Sequence, residues 1–341
     1  MTFTVRIQND FAQLIEQSGI GSARIHQMKA LEAAGIKYVL DGDDYDILHI
    51  NTVFPQSLYH VLKAKHQGKA IIYHAHSTEE DFRDSFILSN QLSKYFKKWL
   101  VTCYQQADLI LTPTEYSKNL LENYHLKPPI EVISNGIDMS YWQANRVEVD
   151  AFRQDYQLEP GRPLIIGVGM LIKRKGILDF IDLARWMPEC QFIWFGHTNS
   201  NIQTSEVKRA IHSKPDNLLF AGYVDRDVLR VAYQVADIFL FLTYEETEGI
   251  VLLEALASGT QTIIRDIPIF DVYQDQHITY KARDNDGFQK LIQMYLDDDL
   301  AYTGACGRVE AQARSIEGVG MKYRKYYQEA LDLAAQKKKK A

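Results

Sequence analysis

Glu246-Thr247-Glu248-Gly249-Ile250-Val251-Leu252-Leu253-Glu254-Ala255-Leu256-Ala257-Ser258-Gly259 is the stretch that decides the fold. Directly before it stands Ile238–Leu242, a short unbroken apolar run of the kind found in strands buried on both faces. The spacing predicts a helix over Ile250–Ser258, so Thr243–Gly249 is a strand-to-helix loop. Backbone N–H groups at a helix N-terminus have no partner within the helix and suit an anionic or hydroxyl-rich ligand. Glu246 lies in that loop and Glu254 one turn into the helix. Two carboxylates held this way accept hydrogen bonds from vicinal hydroxyls. Glu246 and Glu248 taken alone would do no more than favour the helix dipole. The preceding strand and the small-residue run that follows make the arrangement specific.

Working outward, the same alternation recurs along the chain. Ile47–Ile50, Ala70–Tyr73, Leu109–Leu111 and Ile130–Ile133 read as buried parallel strands in the first half. Leu164–Val168, Gln191–Phe195, Leu218–Phe220, Ile238–Leu242 and Gln261–Ile264 do so in the second. Gly21–Ala34, Tyr116–Tyr124, Ile177–Met187 and Arg226–Ala236 carry helical periodicity between them. Residues 139–163 are polar and end in Glu-Pro-Gly-Arg-Pro, which reads as a linker. After Asp298 the pattern is helical to the end. The expected fold is α/β, with two Rossmann-like domains whose parallel sheets face an interdomain cleft. The first covers 1–155 and the second 160–310; helices over 309–335 are expected to pack back on the first.

Composition bounds the function. The chain has 341 residues, 46% of them hydrophobic, enough for two cores rather than one. A net charge of −6 disfavours a nucleic-acid binder. Cys103, Cys190 and Cys306 are far apart, without the spacing of a zinc site or a disulfide framework, and fit a reducing cytosol. Residues 1–10 lack the layout of a signal peptide, and no apolar run is long enough to span a bilayer.

Two further segments carry chemistry. Val168-Gly-Met-Leu-Ile-Lys173-Arg174-Lys175-Gly176 places a basic cluster on the loop after a strand, either a diphosphate clamp or an exposed basic turn. His74-Ala-His76-Ser-Thr78 ends the strand Ala70–Tyr73 and so points toward the expected cleft. Ser18-Gly-Ile-Gly21-Ser-Ala23 is a glycine-containing turn before the first helix, with Gly21 the position for close backbone approach.

These motifs resemble the retaining GT-B glycosyltransferases of family 4. Glu246 and Glu254 match the E-x7-E signature of that family, and the run from Glu246 to Gly259 follows its E-G-F-G-L-V-x-L-E-A-M-A-x-G. Asn217–Val224 looks like the family's strand and loop beside the base, and Ala236–Leu240 its A-D run. Ala107–Thr114 and Val132–Asp138 are similar to further runs in its first domain.

The resemblance implies that Glu254 holds the nucleotide ribose and Glu246 the donor sugar. Amides near Glu248, Gly249 and Ile250 would face sugar and diphosphate, with Val224 beside the base and Gly21 under the diphosphate. Lys175 matches the diphosphate-binding lysine. Met170 stands where arginine is usual, leaving Lys173 or Arg174 to supply that charge, and Thr247 and Glu248 replace the usual Gly and Phe. The resemblance puts a histidine near the reacting sugar, His76 in preference to His74, as an orienting group. It implies front-face attack assisted by the leaving diphosphate, no cofactor and no metal, because lysine-type cations neutralise the leaving group.

His74–Phe86 is similar to the bacterial glycosyltransferases that make mono- and diglycosyldiacylglycerols. The implied reaction moves glucose or galactose from a UDP-sugar to a membrane glycolipid such as monoglucosyldiacylglycerol, or to diacylglycerol. The alternatives are a polyprenyl-linked or soluble sugar acceptor in polysaccharide synthesis, and an inactive binding subunit. Residues 90–107 form an amphipathic pattern in which Lys94, Lys97 and Lys98 flank a stripe containing Trp99. Such a stripe faces either a core or an anionic membrane surface. Lys337–Lys340 reads as a solvated end or a lipid contact. The expected location is the cytoplasm, at the inner face of the cell membrane.

Overall fold

The structure, a computed structural model, describes residues 3–8, 10 and 19–340. Ser18, and Met1, Thr2 and Asn9 of the N-terminal stretch, lie outside the described residues. The chain divides into two compact units. The first comprises 1–82, 91–137 and 314–341; the second comprises 83–90 and 138–313.

The first unit holds a six-stranded parallel sheet. Its strands are β1 (Thr4–Gln8), β2 (Lys37–Val39), β3 (Ile47–Ile50), β4 (Ala70–His74), β5 (Leu109–Thr112) and β6 (Ile130–Val132), in the order β2-β1-β3-β4-β5-β6. Helices cover both faces, and each face has its own apolar cluster. One joins Val5, Ile7, Ile47, Ile72 and Leu109 to Tyr323 and Tyr327 of the last helix, Ile316–Lys340. The other joins Leu48, Ile71 and Ile110 to Leu100, Cys103 and Tyr104 of the helix Ser89–Tyr104. A strand covered on both faces buries every position, as β3 does: three of its four residues are apolar, and His49 bonds the Tyr327 hydroxyl.

The second unit repeats the design with β7 (Leu164–Val168), β8 (Gln191–Phe195), β9 (Leu218–Gly222), β10 (Ile238–Phe241), β11 (Thr262–Arg265) and β12 (Tyr280–Ala282). Their order, β12-β11-β10-β7-β8-β9, is that of a doubly wound dinucleotide-type sheet, with the topological switch between β7 and β10.

Three strands escape the sequence pattern. β1 carries Arg6 and Gln8, which read as polar yet are buried: Arg6 donates to Gly42 O at 2.8 Å and Gln8 to Asp10 Oδ1 at 2.8 Å. β2 and β12 are three-residue edge strands.

The segment 139–163 differs from a plain linker. It contains the helix Arg146–Asp155, whose N-terminus is closed by a capping box between Asn145 and Glu148. Trp142 is fully buried, and Phe152 packs on Tyr156 and Phe195. The unit boundary therefore falls at Ile137, and this helix belongs to the second unit.

At the C-terminus, Gly304–Gln312 packs on the helix Ile250–Ser258 within the second unit. Only Ile316–Lys340 packs on the first, against the helix Gly19–Ala33 and strands β3 to β5. Its basic end is docked there: Lys337 pairs with Asp108 at 2.8 Å and Lys338 donates to Gly68 O at 2.6 Å. Among the described residues, no helix is long and apolar enough to cross a membrane.

Candidate active site

Two loops meet at the switch point of the second sheet. One follows β7 and contains the single turn Lys173–Lys175; the other follows β10 and runs to Gly249. Gly176 has φ +77, and a Cβ there would lie 2.3 Å from Leu242 O, so only glycine lets the loops approach this closely. Arg174 binds them together. Its guanidinium donates to Glu245 O at 2.8 Å and Ser85 Oγ at 3.0 Å. Its own carbonyl accepts from Tyr244 N at 2.8 Å and from Thr243 Oγ1. The side chain is buried and bonded to one backbone carbonyl and one side-chain hydroxyl.

With the loops held, Lys175 Nζ forms a direct ion pair with Glu246 Oε1. Both are largely withdrawn from solvent. Lys173 points elsewhere and pairs with exposed Glu206 at 3.3 Å. Of the three cations in the basic cluster, Lys175 is the one brought to Glu246.

Gly249 starts the helix Ile250–Ser258 in the left-handed region at φ +84, with a Cβ position 2.8 Å from the Phe241 ring. The helix's first-turn amides therefore open at the carboxyl edge of the sheet. Glu246, Glu248 and Glu254 are all buried there. Val224 is half-buried, in the loop between β9 and the helix Arg226–Val235.

Glu254 sits between two partners that sequence reading did not single out. Arg226 Nη2 is 3.6 Å from Oε1, and the Tyr233 hydroxyl is 3.3 Å from Oε2. Burial pushes the Glu254 carboxyl up to about 7, and the nearby Arg226 offsets only part of that. The single Tyr233 proton faces two acceptors, the other being Val251 O at 3.1 Å. Arg226 in turn lies over the rings of Tyr141 and Trp142.

A second network supports the loop after β10. Arg265 donates to Leu242 O and to Arg283 O, pairs with Asp179 at 3.3 Å and lies 3.9 Å from the centre of the Tyr244 ring. Nothing in the local pattern of β11 marks Arg265 as buried; its partners come from three distant segments.

In the first unit, a polar cluster occupies the carboxyl end of β3 and β4. His76 and His74 stack at 4.1 Å, and His74 lies 5.5 Å from His49. All three are buried, and burial holds each well below the ordinary histidine range, His76 at about 4 and His49 at about 3. They are neutral at physiological pH. Asn51, directly after β3, bonds His76 Nε2 at 3.0 Å. Its position at a strand's carboxyl end was the available signal. Gly21 is buried in the first turn of the helix Gly19–Ala33.

The helix Ser89–Tyr104 divides its candidates. Trp99 donates to Val53 O and packs on the core. Lys97 lies over the Tyr124 ring at 4.2 Å and 3.6 Å from Glu79. Lys94 and Lys98 are exposed, as are Leu92 and Tyr95 (70% for Tyr95).

Comparison with known proteins agrees with this architecture. The family model described as Glycosyltransferase Family 4 matches residues 16–141, and that of Glycosyl transferases group 1 matches residues 148–314. The chain is 42% identical over 324 residues to the processive diacylglycerol alpha-glucosyltransferase of Acholeplasma laidlawii, covering 94% of this chain and 96% of that protein. It is 28% identical over 233 residues to the alpha-galactosylglucosyldiacylglycerol synthase of Streptococcus pneumoniae (67% of this chain, 62% of that protein). Among solved structures, Anabaena HepE in complex with UDP and glucose superposes with a TM-score of 0.77 at 13% identity, over 96% of this chain and 99% of that one. The fold is GT-B, and the chain belongs to the family 4 glycosyltransferases.

Proposed function

We propose that this protein is a retaining hexosyltransferase that moves glucose or galactose from a UDP-sugar to a diacylglycerol-type lipid or glycolipid. The observation that carries the reading is the Lys175–Glu246 pair, held on the two loops of a switch point beside the amides that start Ile250–Ser258. A cation, a carboxylate and open amides in one place suit a diphosphate joined to a sugar. The 42% identity to a diacylglycerol glucosyltransferase supports the lipid acceptor.

In this reading Lys175 and the helix amides meet the diphosphate, Glu246 meets sugar hydroxyls and Glu254 meets the ribose, with Val224 beside the base. The acceptor hydroxyl oxygen bonds to the anomeric carbon as the bond from that carbon to the phosphate oxygen breaks. Front-face attack delivers the hydroxyl proton to the departing diphosphate, which keeps the bonding electrons. Charge stabilisation of that diphosphate by Lys175 is the main catalytic contribution, and the reaction takes no cofactor. His76, directly after β4, is the residue assigned to orienting the reacting sugar.

The lipid acceptor is met at a membrane surface. Leu92 and Tyr95, exposed on the same helix as Lys94 and Lys98, combine apolar contact with charge that suits anionic headgroups at the inner face of the membrane.

The deciding experiment is product analysis with labelled UDP-glucose and UDP-galactose, each offered with diacylglycerol or monoglucosyldiacylglycerol in anionic micelles. A labelled glycolipid is expected. Folded, UDP-binding protein that yields no lipid product with either donor would overturn the lipid acceptor and favour a polysaccharide precursor.

A further inference from the structure

Glu254 receives both of its partners from one helix. Arg226 and Tyr233 stand about two turns apart on Arg226–Val235 and so share a face. One side chain from another segment touches both. The Trp142 ring centre lies 5.3 Å from Arg226 Cζ and 5.7 Å from the centre of the Tyr233 ring, which it meets at 74°. Trp142 is fully buried, and the neighbouring Tyr141 ring covers Arg226 at 5.4 Å. The segment carrying these rings is strapped to the helix: Tyr141 donates to Asp227 Oδ1 at 2.8 Å, and Arg230 pairs with Glu148 at 2.5 Å. Aromatic faces hold a guanidinium without neutralising it. At 3.6 Å, Arg226 Nη2 acts on Glu254 Oε1 as a charge and does not close a hydrogen bond on it.

We propose that Arg226 and Trp142 are positioning residues for the donor: Arg226 favours the anionic form of Glu254 without occupying Oε1, and Trp142 fixes Arg226 and Tyr233 in place to do so. The ligand that benefits, a ribose diol, rests on the reading of Glu254 given above. The charge on Glu254 answers to burial, Arg226 and Tyr233. The remaining charged groups around it are engaged or face away. Asp227 and Arg230 are held by Tyr141 and Glu148. In the preceding loop Glu246 is paired with Lys175, and Glu248 is buried. Gly304–Gln312, which carries Arg308 and Glu310, packs on Leu256, about 200° around the helix from Glu254.

Calorimetry of the full chain with UDP and with 2′-deoxy-UDP tests this, because a group acting through Glu254 changes the ratio of the two affinities. A purely structural loss weakens both alike. Arg226→Gln is expected to lower the preference for UDP about tenfold, the scale of a hydrogen bond to a charged group. It should also move the rise of UDP affinity to higher pH, since the anion forms less readily without the arginine. Trp142→Leu should lower the preference about threefold, the scale of one cation–π contact, and Trp142→Phe should retain most of it.

A folded Arg226→Gln or Trp142→Leu with the wild-type ratio and pH profile overturns the proposal, as does equal weakening of both nucleotides. Should Trp142→Leu fail to fold, Arg226→Lys decides: it keeps the charge and loses the planar stacking, so a wild-type ratio there removes the role of Trp142. Glu254→Gln separates this from the donor reading. If that variant leaves the ratio unchanged, the ribose assignment falls. The action of Arg226 on Glu254 is then read from the pH dependence of unfolding, which Arg226→Gln should still shift.

Discussion

Lys175 and Glu246, 71 residues apart in sequence, are joined as an ion pair across the switch point of the second sheet. The pair keeps two opposite charges tolerable where both side chains are largely withdrawn from solvent. Lys175→Ala is expected to weaken UDP binding and to lower kcat/KM for the UDP-sugar by about 100-fold or more, the scale of removing one charged stabilising group. Glu246→Gln should spare UDP affinity and lose UDP-sugar turnover, because the partner proposed for it is the hexose. Calorimetry with UDP and steady-state rates with UDP-sugar separate the two. Equal effects of both variants on UDP itself would refute the division of labour.

Glu254 links donor affinity to pH. Burial pushes its carboxyl up to about 7, and in the proposed donor pose the charged form is the one that accepts two ribose hydroxyls. UDP affinity should therefore rise between pH 6 and pH 8, and Glu254→Gln should flatten that rise while weakening binding. Stability runs the other way. The folded state holds this proton up to about pH 7, whereas the unfolded chain releases it near its ordinary value of 4.5. The stabilisation is fully present below the unfolded value and is lost as pH rises through the folded one. Its ceiling is on the order of 3 kcal/mol. Denaturation of ligand-free wild type and Glu254→Gln at pH 6 and pH 8 checks the slope: the variant should gain on wild type at the higher pH.

Gly176→Ala tests the approach of the two loops. The added methyl meets Leu242 O at 2.3 Å and the residue must keep φ +77. A loss of about 3 kcal/mol or more in unfolding free energy is expected, combining backbone strain with the clash. Urea titration of the second unit's tryptophan fluorescence would measure it, and a cost near zero would mean that the loops are not held together here.

Arg174 and Lys173 should behave differently despite adjoining positions. Arg174→Lys keeps the charge and loses the fork that holds Glu245 O and Ser85, so thermal stability should fall by about 2 kcal/mol and KM for UDP-sugar should rise. Lys173→Ala removes an exposed pair with Glu206 and should change both by less than about twofold in KM and 1 kcal/mol in stability. A large KM effect from Lys173→Ala would return that lysine to the diphosphate.

On the helix Ser89–Tyr104, Leu92→Ser with Tyr95→Ser should reduce co-sedimentation with anionic vesicles, as should Lys94→Glu with Lys98→Glu. Turnover of lipid acceptor dispersed in neutral detergent should be retained. Lys97→Ala is expected to act on stability instead, because Lys97 is engaged with Tyr124 and Glu79. Unchanged vesicle binding in both double variants would move the membrane contact elsewhere.

What local sequence determined is the set of elements whose cause is local. Ile250–Ser258 has the bounds its periodicity predicts, and β3, β7 and β8 coincide with their apolar runs. Glu246 and Glu254 were legible because a strand, a loop and a helix follow one another within about twenty residues. β1 and the helix Arg146–Asp155 were not, since Arg6 bonds Gly42 and Phe152 packs on Phe195, partners far along the chain. Tertiary structure alone decided which cation of Lys173, Arg174 and Lys175 reaches Glu246, and that Arg226 and Tyr233 attend Glu254. It alone set Asn51 beside His76. The physical reason is the same in each case. Periodicity reports which face of an element is buried, whereas the partner of a buried polar group is set by sheet order, which brings distant segments to one edge.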